Sequence, residues 1–158
     1  MSDSKRAMAA AMAIGVIAGL RSMTAPAVVS WAAEQKWVRV RNRRLAFFKQ
    51  KRSSLFVTAL AAGEMVMDKL PIAPNRTEPL SLAWRVLTGG LSGGVLCASK
   101  RNIAKGAILG AVGAVAGTFA GFHARRAVRD KLHVTDRIVA AAEDAVAVGA
   151  GILVARSV

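Results

Sequence analysis

Four carboxylates stand inside otherwise apolar stretches: Glu64, Asp68, Glu143 and Asp144. An ionised group in lipid-like surroundings is costly, so it faces the interior of a bundle and a partner or solute. Glu64 and Asp68 are four residues apart and therefore share one helix face. The candidate cationic or titratable partners are Arg21, Arg85 and His123. Brought together, these groups form a polar centre able to hold a small ion or a polar headgroup, or to relay protons. The same set also reads as ion pairs that fix helix register. Asp144 stands near the start of its helix, where a negative charge suits the dipole. Lys69 is expected to snorkel toward the surface.

Other chemistry has little support. The chain contains no Gly-x-Ser-x-Gly, no phosphate loop and no His-Glu-x-x-His. His123 and His133 lack a metal-ligand spacing, and the lone Cys97 excludes both an intramolecular disulfide and a cysteine-based metal site. Gly89-Gly90 and Gly93-Gly94 follow no predicted strand, so they do not form a nucleotide fingerprint. No catalytic residue, cofactor or metal is expected, and a non-enzyme is the favoured class. A lipid-headgroup enzyme stays as an alternative, because two acids on one face could hold a divalent ion, but too few further ligands are visible.

The elements that must position these charges follow from composition. The 158 residues suit a single domain; 54% are hydrophobic and 14 are Gly, yet the net charge is +14. High apolar content and high positive charge conflict in a soluble globule, whereas basic loops against anionic headgroups reconcile them in a membrane protein. The expected fold is an all-α integral membrane bundle of about five short helices over 7–33, 54–70, 80–99, 103–124 and 138–156. A soluble basic bundle is the weaker alternative, since the segments lack a wide polar face. The longest charge-free run, Gly106–Phe122, has 17 residues, just short of a simple span.

The first segment is interrupted by Arg21 and by Thr24-Ala25-Pro26, and Pro26 should kink or break it. Lys5 and Arg6 before an apolar stretch resemble a signal peptide, but the polar residues that follow read as a kink rather than a cleavage site. The stretch 34–53 carries Lys36, Arg39, Arg41, Arg43, Arg44, Lys49, Lys51 and Arg52 beside Trp31, Trp37, Phe47 and Phe48. Aromatics next to a basic run suit a cytoplasmic membrane interface more than a nucleic-acid surface. Pro71, Pro74, Asn75 and Pro79 mark a loop.

Gly106, Gly110, Gly113, Gly117 and Gly121 place a glycine groove, of the glycine-zipper kind, down one side of 103–124. Such a groove lets helix backbones approach, within the chain or in a homo-oligomer. Gly15–Arg21 and Gly117–His123 are similar, as are Ala61–Glu64 and Ala140–Glu143. With one helix between the halves, this is the order of an inverted repeat. Five spans and the positive-inside rule put 34–53 and the C-terminal residues in the cytoplasm and the N-terminal residues outside. A re-entrant first segment would return the N-terminal residues to the cytoplasm.

Gly19-Leu-Arg-Ser-Met-Thr-Ala-Pro26, Gly63-Glu-Met-Val-Met-Asp-Lys-Leu-Pro71, Asn75-Arg76-Thr77 and Ala142-Glu-Asp-Ala145 occur in that order. The set resembles a family of small bacterial membrane proteins known as a domain of unknown function. The resemblance covers nearly the whole chain and implies a multi-span protein of the bacterial cytoplasmic membrane, without an activity. The leading expectation is a small transporter or channel-like permease whose polar centre contains Arg21, Glu64, Asp68, Arg85, His123, Glu143 and Asp144. The alternative is a non-transporting membrane scaffold or assembly factor. The expected partners are membrane lipids at the basic loops and a second copy of the chain, with no nucleic acid.

Overall fold

The computed structural model describes residues 3–40, 42–67, 78–100, 102–132 and 136–158. Asp68, the rest of the helix expected to 70, and the loop positions Pro71, Pro74 and Asn75 lie outside the described residues, as does His133. The described residues form six α-helices and no strand: α1 (Asp3–Leu20), α2 (Thr24–Glu34), α3 (Lys51–Met67), α4 (Pro79–Leu96), α5 (Ile103–Leu132) and α6 (Asp136–Arg156). Short 3-10 turns occupy Arg43–Lys49 and Ala98–Lys100.

The first apolar segment is two helices rather than one. Its break falls at Arg21–Met23, ahead of Pro26. Pro26 is the third residue of α2, a position whose amide has no intrahelical acceptor, so the ring removes no hydrogen bond there. α4 opens in a similar way, with Pro79 in its first turn behind Glu78. α5 runs past the expected 124 to Leu132, because Ala-Arg-Arg-Ala-Val-Arg contains no Gly or Pro to stop it.

Contacts fix the helix directions. Asn102 donates to Ser4, and Cys97 Sγ to the Ala7 carbonyl, at one end of the bundle. At the other level, Arg85 and Thr118 reach Gly19. α1 is therefore parallel to α5 and antiparallel to α4. Asp144 of α6 meets Arg21, Gly151 packs on Val28, and Arg156 lies over Trp37, beyond α2. Arg6 and Ala9 share a cleft with Val154 and Arg156. Hence α6 runs alongside α2 and against α1, and α1 and α2 are two arms of a hairpin. Its tip is Arg21-Ser22-Met23, about 27 Å along the 18-residue α1 from its start.

The interior is built from small residues. A methyl group on Gly15 would lie 2.1 Å from the Gly110 carbonyl oxygen, and one on Gly110 would lie 2.2 Å from that of Gly89. α1, α4 and α5 thus touch backbone to backbone. The glycine groove of α5 divides between two neighbours: Gly106 and Gly110 face α4, whereas Gly113 and Gly117 face α1. Large apolar side chains lie outside instead, with Phe56 60%, Leu87 58%, Ile108 64% and Leu153 69% exposed. Ile103–Val128 and Ile138–Arg156 are long and apolar enough to cross a membrane.

The basic stretch after α2 is folded rather than wholly solvated. Val38 and Val40 are buried, and Leu45 and Phe48 pack against the core. Trp37 meets Trp31 edge-on, with ring centroids 4.7 Å apart.

Candidate functional site at the hairpin tip

Breaking a helix exposes two sets of unpaired backbone groups: carbonyls at the end of α1 and amides at the start of α2. The end of α1 carries partial negative charge and the start of α2 partial positive charge. Each is met by a side chain of opposite sign from another helix. Arg85 is 4% exposed, and its Nη1 donates to the carbonyls of Gly19 (2.7 Å) and Leu20 (3.0 Å). Thr118 Oγ1 donates to the Gly19 carbonyl at 3.3 Å and to that of Ala114 at 2.8 Å.

The amide end of the break is held by Glu64. Its Oε1 accepts from the Ser22 amide at 2.9 Å and the Ser22 hydroxyl at 2.7 Å, and its Oε2 accepts from the Met23 amide at 2.8 Å. The residue preceding α2, Met23, supplies no side-chain cap of its own. Glu64 thus does from α3 what a capping Ser or Asp ordinarily does locally.

Between the two helix ends stands Arg21, fully buried, with its Nε 2.5 Å from Asp144 Oδ1. Asp144 therefore serves as a buried partner and not only as a charge near a helix start. The next residue, Glu143, pairs with Arg125 of α5. Arg125 lies just beyond the helix expected over 103–124, on the part of α5 that continues to Leu132. A crevice of about 450 Å³ runs between α5 and α6 from Leu20 at the tip, past Gly121 and Ala142, to the Arg125–Glu143 pair.

The structure thus brings Arg21, Glu64, Arg85 and Asp144 to one tip, with Glu143 beside it. Glu64 binds backbone and hydroxyl groups and not one of the expected cations. His123 is exposed on α5 with its ring against Phe122, so the cation that meets Glu143 is Arg125. Ser22, Thr118 and Arg125 are the residues that sequence reasoning missed as participants. Ser22 was visible only as part of the kink. Among the described residues, no cluster of His, Cys, Asp and Glu could hold a metal ion.

A family model described as a domain of unknown function (DUF4126) matches residues 8–157. No curated protein and no solved structure shows significant similarity to the chain.

Proposed function

The chain belongs to the DUF4126 family, whose description carries no activity, and on the geometry of its own site we propose that it is a small bacterial membrane permease for an ion or polar solute, working at the tip of a re-entrant hairpin. Support for the membrane setting comes from the inversion of apolar size between surface and interior. In the most apolar windows of α5 and α6 only 33% and 22% of the residues are buried in the bundle. A core helix of a soluble protein has the opposite character, whereas lipid accepts an outward apolar face.

In this reading α3, α4, α5 and α6 cross the bilayer, and α1–α2 enters and returns on one side. That differs from five spans with opposed ends, because the hairpin brings Arg6 back beside Val154, Arg156 and Ser157. Lys5, Arg6, Lys36, Arg39, Arg43, Lys49, Lys51, Arg52, Lys105 and Arg156 then share one face. The positive-inside rule makes that face cytoplasmic. The first half of the chain supplies a hairpin and one span, so the inverted-repeat order receives no support from this arrangement.

The observation that carries the permease reading is the convergence of two helix ends on a buried Arg21–Asp144 pair, whose chain neighbours Leu20 and Glu143 line the α5–α6 crevice. Interrupted helices whose ends meet charged groups inside a bundle are the usual construction of transporter sites. Irregular backbone is tolerated at such depth where it is buried in protein or lines a cavity. One observation favours the scaffold reading: Arg85 and Glu64 already bond backbone groups of the tip. A scaffold keeps these bonds permanently, whereas a permease must exchange some of them.

The test is flux in proteoliposomes, with a pH-sensitive dye for protons, sodium-, potassium- and chloride-sensitive probes, and glycerol swelling for a neutral solute. The parent protein is expected to pass at least one, and Asp144→Asn to lose that flux while still inserting. A parent protein that passes none of the five favours the scaffold and overturns the permease.

A further inference from the structure

A second site lies on the basic face, away from the hairpin tip. The first turns of α1 and the last turn of α6 diverge to leave a cleft of about 600 Å³, lined by Arg6, Ala9, Ala10, Ala13, Val154, Arg156 and Ser157. We propose that this cleft seats one anionic phospholipid, its phosphate between Arg6 and Arg156 and one acyl chain along the alanine wall. The proposal rests on the membrane reading above, but not on transport.

The chemistry of the lining selects this ligand. Arg6 and Arg156 line one opening, and among the described residues neither is paired with a carboxylate. Asp3, the acid nearest to Arg6 in sequence, does not line the cleft. An anion held in the cleft is attracted by both arginines, and the guanidinium fork matches phosphate oxygens. Arg156 is already oriented, with its Cζ 4.6 Å from the centre of the Trp37 ring. The Ser157 hydroxyl donates to the Val154 carbonyl at 2.7 Å, which leaves anion recognition to the arginines. Ala9, Ala10, Ala13 and Val154 provide an apolar wall that a free phosphate ion cannot use and an acyl chain can. Basic pockets between helices on the cytoplasmic side are a recurrent setting for anionic headgroups.

Native mass spectrometry of the purified protein in detergent tests this, with phosphatidylglycerol and phosphatidylcholine as competing probes and inorganic phosphate as a third. Phosphatidylglycerol should be retained preferentially. Arg6→Gln should weaken that preference about fivefold, the effect of one arginine near an anionic surface. Ala9→Leu should weaken it by filling the wall without changing charge. Arg39→Gln, on the same face but outside the cleft, should leave it intact. Arg6, Ala9 and Arg39 are all exposed, so the fold is expected to survive each change. Equal retention of both lipids, unchanged preference in both Arg6→Gln and Ala9→Leu, or occupation by inorganic phosphate to the exclusion of lipid would each overturn the site. Alkaline extraction separates this from the underlying reading: a protein that leaves the membrane fraction overturns the membrane assignment, whereas one that stays leaves that assignment standing whatever the lipid result.

Discussion

The residues at the tip differ in what their loss leaves behind. Arg21 is fully buried beside Asp144. Asp144→Asn removes an anion from beside a buried cation; breaking such a pair costs about 3–5 kcal/mol where no other group or water offsets the charge. Water reaching the tip through the α5–α6 crevice would reduce that loss. Glu64→Gln keeps one oxygen able to accept from an amide, but its new NH₂ group confronts a second donor. The expected loss is about 1 kcal/mol, the scale of an N-terminal cap. Thermal unfolding in detergent should therefore rank Asp144→Asn below Glu64→Gln, and both below the parent protein. A more stable Glu64→Gln variant would contradict the capping role.

At the scale of elements, the sequence marked where the chain must bend but not which residue causes the bend. Pro26 drew attention because proline breaks helices, yet in the first turn of α2 its missing donor is harmless. Arg21 and Ser22 sit at the break, and the groups that stabilise it come from α3, α4, α5 and α6. Such long-range partners leave no periodic signal in one chain, which is why Glu64 could be singled out but not assigned its capping task. The glycines were legible as a packing surface, whereas their division between α1 and α4 depends on tertiary arrangement. That division yields a sharp contrast. Gly110→Ala places a methyl group against the Gly89 carbonyl and should lower the melting temperature. Gly63→Ala and Gly149→Ala meet nothing within 4 Å, and should raise helix stability by up to about 1 kcal/mol each. A neutral Gly110→Ala would argue against direct backbone contact.

For the whole molecule, the hairpin decides the topology. The α1–α2 connection places Arg6 beside the end of α6, so in the proposed membrane reading both lie on the same, basic face. Cysteines placed at Lys5 and at Ser157, in a Cys97→Ser background, should both resist impermeant thiol reagents in intact cells and react in inverted vesicles. Labelling of the two from opposite sides would contradict the hairpin. Cys97 itself is buried against Ala7, so it should react slowly from either side until the protein unfolds.

In the permease reading water reaches the charged tip from the face opposite the basic one, along the α5–α6 crevice. Leu20, the neighbour of Arg21, and Arg125 both line that crevice. The most direct measurement is the rate at which a small, charged methanethiosulfonate reagent modifies Leu20→Cys, in the Cys97→Ser background, from each side of the membrane. A permease should be modified at this position from the side opposite the basic face, and faster when Arg125→Gln removes the ion pair with Glu143. Absence of modification from either side, with Arg125 present or replaced, would show a dry tip and contradict it.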